Sequence, residues 1–343
     1  MKFAKELQEL NLKECRADEP LARHTTWKIG GPADMFVAPR ETVQLEEILD
    51  IAGRLPFYFL GGGSNLLVSD RGVRGVVLRL RGDFERIVVR PPLIECGAGA
   101  NLHKVLMKGA EAGVGGLEFL CGIPGAVGGA VMNNSGTKTD WILHRIVEIG
   151  ALRLSSRKRV VLHPDELDYS YRWSGLRKRG LVLTDCVLKG EEAPVTTIRE
   201  NLEKLTNYRI KTQPYGVPSA GSVFKNPEGN FAGRLLEEVG MKGRIIGKAQ
   251  VSEKHANFII NLGGASGHDV ATLISTGRQR VFEETGIVLK TEIEFTGEWD
   301  ESSAEGALTH GSVAGHGPRH LRRPVCAHGH AAVQCAGSHR LRR

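Results

Sequence analysis

The sequence predicts an α+β protein assembled from two or three packed units. Three observations lead to that class. At 343 residues the chain exceeds one typical domain, and a hydrophobic content of 41% suffices for more than one core. Short strand-like runs alternate with amphipathic helical stretches along most of the chain. Two glycine-rich stretches interrupt the alternation, and neither matches GxGxxG or the GxxxxGK of a P-loop. A nucleotide held by such loops sits in a fold other than a Rossmann sheet.

Composition narrows the class further. No apolar run approaches about 18 residues, so no membrane span is expected. The mixed-charge start MKFAKELQEL reads as a helix rather than a signal peptide. Six cysteines (Cys15, Cys96, Cys121, Cys186, Cys326, Cys335) contain no CxxC pair, which fits reduced thiols in a cytosol and not a disulfide framework or zinc site. The formal charge of +7 is unevenly placed. Residues 301–343 hold six arginines against Glu301 and Glu305, a net of +4, which leaves +3 for residues 1–300. The body is near neutral, and nucleic-acid binding has little electrostatic support.

Taken in order, residues 2–14 read as a short helix. In His24-Thr25-Thr26-Trp27-Lys28-Ile29-Gly30-Gly31-Pro32, two glycines and a proline force a turn beside threonine hydroxyls; the stretch either lines a site or joins elements. From Thr42 onward Val43, Leu45, Ile48, Leu49 and Ala52 share a helical face that Gly53 ends. Phe57 to Leu60 is a strand running into Gly61-Gly62-Gly63-Ser64-Asn65, and Leu66-Leu67-Val68 resumes as strand. Glycines admit a ligand close to the backbone. Successive N–H groups there form a concave nest for phosphate oxygens, to which Ser64 and Asn65 add side-chain donors. A long acidic cofactor held by its pyrophosphate is the natural guest, and an ordinary glycine turn is the plain alternative.

Val73 to Leu80 is another strand, after which composition shifts and a boundary is expected. Ile94 to Gly99 is a short strand, and Asn101 caps a helix reaching about Ala112. The second glycine stretch runs from Gly122 to Asn134 almost without charge. Two such loops about sixty residues apart favour one extended ligand spanned by both. Tight internal packing is the alternative. Residues 146–153 and 181–189 alternate as strands. Between them Tyr169-Ser170-Tyr171-Arg172 ends in an arginine that either forks onto a carboxylate or is solvated.

Thr196 to Tyr208 is a helix with Ile198, Leu202 and Leu205 inward, and Pro214 and Pro218 mark a linker into Ala220-Gly221-Ser222-Val223-Phe224-Lys225-Asn226-Pro227. No GxSxG elbow surrounds Ser222, which argues against a hydrolase nucleophile and leaves a turn serine. Helices follow at Phe231–Val239 and Asp269–Thr285, and His255 reads as a structural histidine ahead of a strand ending at Asn261. In the last strand, Ile287 to Phe295, odd positions form an apolar face; Lys290, Glu292 and Glu294 share the other. Two solvated glutamates are the plain reading. Residues 301–343 read as a disordered basic extension or frame-shifted coding, and His328-Gly329-His330 is not expected to be a metal site.

Together HTTWKIGGPAD, FLGGGSNLLVSD, LCGIPGAVGGAVMNN, YSYR, AGSVFKNP, KHANFIIN and LKTEIEF resemble the bacterial UDP-N-acetylenolpyruvoylglucosamine reductases, from about Leu21 to Trp299, in their shorter type II form. The resemblance implies a non-Rossmann FAD fold of the vanillyl-alcohol-oxidase kind. Residues 1–80 with 288–300 would make one FAD lobe, 81–212 the second, and 213–287 a substrate lobe. It implies non-covalent FAD held by Gly61, Gly62, Gly63, Ser64 and Asn65 and by Gly122, Ile123, Pro124, Gly125, Ala126, Gly128 and Gly129. NADPH would be the co-substrate, and the enolpyruvyl UDP-sugar would follow it into the same cleft of a cytoplasmic monomer.

The family's catalytic trio falls on Arg172, Ser222 and Glu292. The resemblance casts Arg172 and Glu292 as stabilisers of an enol-carboxylate and Ser222 as the proton donor. Lys225 and Asn226 match residues near the nucleotide diphosphate, and Arg209 and Gln213 are further substrate candidates. The chain departs from the family pattern in three places. Asn133-Asn134-Ser135-Gly136-Thr137-Lys138 replaces an asparagine followed by Ala-Gly-Ala-Tyr, Thr291 replaces a proline, and the basic tail has no counterpart. The alternatives are an FAD-linked sugar or alcohol oxidase of the same fold, which would reduce oxygen readily, and a nucleotide-binding module without flavin.

Overall fold

The structure, a computed structural model, describes residues 2–52 and 55–299. Its first sheet orders the strands Cys15–Pro20, Pro32–Val37, Val73–Leu78 and Phe57–Phe59; the first pair is antiparallel and the others parallel. The helix Thr42–Ile51 buries Leu45, Ile48 and Leu49 of the expected apolar face, but Val43, assigned to that face from sequence, is 60% exposed because it falls on the other side of the helix. A second, wholly antiparallel sheet runs Arg159–Leu162, Ile146–Arg153, Leu181–Lys189, Leu93–Gly97, Ile87–Arg90. Asn101 caps the helix Leu102–Glu111 by accepting from the Lys104 N–H at 3.0 Å. The third sheet is small (Ile245–Ile246, Ala249–Val251, Ile259–Asn261) and packs against the helix Gly267–Thr285. That helix is stopped cleanly at both ends, by a reciprocal Ser266–Asp269 capping box and by Gly286 at φ 70°.

The distribution of the cores decides where a cleft lies. Leu7, Met35, Leu45 and Ile48 of the first unit share one cluster with Leu152 and Val182 of the second. Trp27, Ile29 and Leu67 share another with Leu235, Ile274 and Val281 of the third. Among the described residues no apolar cluster joins the second unit to the third. They meet through polar groups instead: Lys225 Nζ donates to Arg172 O at 3.1 Å, Lys254 Nζ donates to Ile210 O at 2.7 Å, and Lys138 Nζ lies 5.4 Å from the Phe231 ring centre. A polar junction between units that share no core is where a ligand cleft is expected.

Three elements differ from expectation. The first helix is Lys2–Glu9, because the chain turns at Asn11, whose φ is 50°. Part of the second glycine stretch, expected as loop, is the helix Val127–Met132, formed where Val127, Ala130 and Val131 are buried against the second sheet. The expected strand 287–295 is regular only over Glu294–Thr296. Before that, the backbone changes partners. Lys225 N–H donates to Lys290 O and Glu292 N–H to Val223 O, after which Glu294 N–H donates to Asn65 O. A segment handed from one unit to another cannot keep one ladder, although Leu289 and Ile293 are buried as the alternation required. The tail 301–343 lies outside the described residues. Among the described residues no helix is long and apolar enough to cross a membrane, and no cluster of three or more His, Cys, Asp or Glu is placed to hold a metal.

Candidate functional site

The two glycine loops meet. A Cβ on Gly62 would stand 2.4 Å from Gly125 Cα, and one on Gly63, at φ 61°, would stand 2.1 Å from His24 O. Close packing of backbone against backbone therefore accounts for Gly62 and Gly63, and at Gly125, at φ 126°, a Cβ would meet the Ser64 hydroxyl at 2.8 Å. The Ser64 hydroxyl donates to Pro124 O at 2.8 Å, and Asn65 Nδ2 to Glu292 O at 3.1 Å. Ser64 thus ties the first loop to the second and Asn65 ties it to the segment carrying Glu292, instead of offering free donors.

The backbone amides do what the side chains do not. Among the described residues, the N–H groups of Gly61, Gly62, Gly63, Ser64 and Asn65 reach no acceptor, and neither do those of Gly125 and Ala126. So many adjacent unpaired amides are costly unless an anion or water satisfies them. Gly129, on the helix that follows, has open space where its Cβ would be. Arg209 lies with its side chain against Gly122, where a Cβ would be 2.5 Å from Arg209 Cδ. It therefore adjoins the second loop. These residues fit a pyrophosphate-bearing cofactor. Gly62→Ala is expected to cost about 1–3 kcal/mol by overpacking and to strip bound flavin, read as melting temperature and flavin-to-protein ratio. An unchanged melting temperature with full flavin would mean that the loops do not touch.

Across the cleft, Arg172 occupies the turn of a two-stranded hairpin, Tyr169–Ser170 and Trp173–Ser174, at φ 56°. A bulky residue in the left-handed region is strained and persists only where its surroundings hold it. Here residues 132–136 do so: Asn134 Nδ2 donates to Ser170 O at 2.9 Å, Ser174 Oγ to Met132 O at 2.8 Å, and Arg172 Nη2 to Gly136 O at 2.8 Å. The altered Asn-Asn-Ser-Gly stretch is thus the cradle of the arginine hairpin. Arg172 Nε donates to Glu292 Oε1 at 2.7 Å, with the two side chains 17% and 19% exposed. Neither glutamate of the last strand is a solvated bystander, since Glu294 pairs with Arg177. Arg172 Nη1 is buried with no hydrogen-bond partner.

Ser222 comes to the same place. Its neighbour Val223 accepts the Glu292 N–H at 2.8 Å, so serine and glutamate lie on paired backbone, and the Ser222 hydroxyl bonds to no other described residue. Burial pushes the Glu292 carboxyl above the usual carboxylate range, against the pull of Arg172 and Lys225. Burial pushes the Lys225 ammonium down; Glu292 opposes that, while Arg177, Arg172 and Lys290 reinforce it. Four cations thus surround two carboxylates, an excess suited to a polyanion. Asn226 Oδ1 accepts from the Ala232 N–H at 3.0 Å. Gln213 ends the helix Val195–Thr212 and lies outside this cluster of contacts. Sequence marked Tyr171 only within the tyrosine-rich run and Asn133-Asn134 only as a departure from the family pattern, and it did not single out Arg177.

Fold and loops define a flavoprotein of the non-Rossmann kind: residues 33–143 match the model of an FAD binding domain. Residues 213–296 match the UDP-N-acetylenolpyruvoylglucosamine reductase, C-terminal domain. The chain is 44% identical to the reductase of that name from Moorella thermoacetica over 86% of its own length and 98% of the relative. It is 42% identical to UDP-N-acetylenolpyruvoylglucosamine reductase 2 of Symbiobacterium thermophilum, covering 82% and 92%. The crystal structure of the Thermus caldophilus enzyme superposes with a TM-score of 0.73 at 37% identity, covering 82% of this chain and all 100% of the other. The chain belongs to the UDP-N-acetylenolpyruvoylglucosamine reductase family and is an FAD-containing oxidoreductase.

Proposed function

We propose that the protein reduces the enolpyruvyl group of UDP-N-acetylglucosamine enolpyruvate to the lactyl ether of UDP-N-acetylmuramate, with NADPH as reductant, in cytoplasmic peptidoglycan precursor synthesis. The observation that carries this reading is the buried, unpartnered Arg172 Nη1 beside Glu292 and Lys225, where a substrate carboxylate completes the guanidinium's bonding. The amides of Gly61 to Asn65 and of Gly125 and Ala126 would hold FAD non-covalently, and the bound flavin would relay the hydride that NADPH provides. Arg209 adds a cation beside the second loop.

The residues of the cleft handle charge and the proton. As hydride reaches the vinyl carbon distal to the carboxylate, the C=C electron pair moves onto the neighbouring carbon and into the carboxylate as an enolate. Arg172 and Glu292, held together at 2.7 Å, position and stabilise that enol-carboxylate. Ser222 passes its hydroxyl proton to the carbon. Lys225 and Asn226 hold the diphosphate side of the substrate, with Lys290 nearby. The test is flavin absorbance of the purified protein, followed by NADPH oxidation with and without the enolpyruvyl UDP-sugar. Colourless protein that takes up no FAD, or NADPH oxidation indifferent to the substrate, contradicts the reading.

The lowered Lys225 proton affinity has a consequence for pH. The ammonium deprotonates at lower pH than an ordinary lysine, so KM for the UDP-sugar is expected to climb with pH through that range while kcat moves little. Lys225→Arg is expected to erase the rise, because a guanidinium stays charged throughout. A KM profile identical in wild type and Lys225→Arg would remove Lys225 from the phosphate site.

A further inference from the structure

We infer that Arg177 is a positioning residue for the reaction proposed above, tying both cofactor loops to the segment that carries Glu292. Its guanidinium donates to Asn133 Oδ1 and to Glu294 Oε1. Asn133 caps the C-terminus of Val127–Met132, the helix of the second glycine stretch. Glu294 hangs from the first loop: its N–H donates to Asn65 O at 2.9 Å, and its strand pairs in parallel with Leu66–Val68. One side chain therefore fixes the second loop, the first loop and the chain around Glu292 in a single register.

The geometry is a double clamp. Arg172 and Arg177 stand on one hairpin and the short helical turn Gly175–Lys178 that follows it. They grip Glu292 and Glu294, 120 and 117 residues away in sequence. The two clamps have different tasks. Arg172 keeps Nη1 without a partner, as a substrate-binding group must; Arg177 spends its contacts on the protein itself. This ion pair ties the hairpin's unit directly to the last strand, which is itself paired with Leu66–Val68 beside the first loop. Without Arg177 the Glu294 carboxylate loses its cation, and the 292–294 segment is free to shift against Arg172. A displacement near 1 Å at reacting groups costs about 10²-fold in rate.

The test uses the flavin-loaded holoenzyme. Arg177→Met is expected to slow flavin reoxidation by the enolpyruvyl UDP-sugar about 10²-fold per bound flavin and to weaken calorimetric binding of UDP-N-acetylmuramate, while bleaching by NADPH stays near the wild-type rate. Arg177→Lys is expected to recover part of both losses. Exchanging the charges, Arg177→Glu with Glu294→Arg, is expected to do better than either single change, since the Asn133 amide can turn and donate to the new carboxylate. A purely structural role would lower melting temperature and flavin content but leave per-flavin reoxidation and product affinity at wild-type values; that result overturns the proposal. If Arg177→Met does not fold, Arg177→Lys is judged by the same two readouts. Wild-type turnover separates the two readings: an inactive wild type brings down the reductase reading and this proposal with it, whereas an active wild type with an unimpaired Arg177 variant overturns this proposal alone.

Discussion

Glu292→Gln is expected to lower the rate of substrate reduction by about 10²–10³-fold, the usual loss when one group facing transition-state charge is removed. The amide keeps an oxygen for Arg172 Nε, now 2.7 Å from Glu292 Oε1, so folding and flavin content should change little. What disappears is the carboxylate charge that balances Arg172. Glu294→Gln is expected to be milder, because Glu294 faces Arg177 and not the buried open edge of Arg172. Single-turnover reoxidation of reduced enzyme by the UDP-sugar compares the two variants directly. If Glu294→Gln is the more damaging change, the catalytic carboxylate has been assigned two residues too early.

Ser222→Ala is expected to separate the two half-reactions. It removes one hydroxyl from a half-buried loop position and no hydrogen bond to a described residue, so it opens little cavity and frees no protein acceptor. Bleaching of the flavin by NADPH needs no acid at this position and should proceed at close to the normal rate. Reoxidation by the enolpyruvyl substrate should slow roughly 10²–10⁴-fold, the range for a missing general acid. A serine that merely shapes the turn would leave both halves unchanged. Equal slowing of both would mean a disturbed flavin site, and slowing of the first alone would assign Ser222 to NADPH binding.

The glycine loops were legible because glycine marks positions where no side chain fits, and Gly62 and Gly63 are such positions. Their composition did not say that the loops press on each other, so Ser64 and Asn65 looked like phosphate donors although their hydrogens serve Pro124 O and Glu292 O. The amphipathic helix at Thr42–Ile51 followed from spacing alone. The helix Val127–Met132 was hidden by Gly128 and Gly129, which weaken helix propensity until the second sheet supplies packing. Strand parity put Leu289 and Ile293 inside, but the change of backbone partner between Val223 and Asn65 depends on residues far away in sequence. Arg177 was concealed for the same reason. It stands in a basic run with Lys178 and Arg179, and only the fold brings Glu294 to it.

The most direct test of the reductase assignment is anaerobic stopped-flow absorbance of the wild-type flavoprotein. NADPH is expected to bleach the flavin band, and the enolpyruvyl UDP-sugar, added without oxygen, to restore it with stoichiometric appearance of UDP-N-acetylmuramate. A bleached flavin that stays reduced with the UDP-sugar and recovers only when oxygen is admitted would contradict the assignment and leave an oxidase in its place.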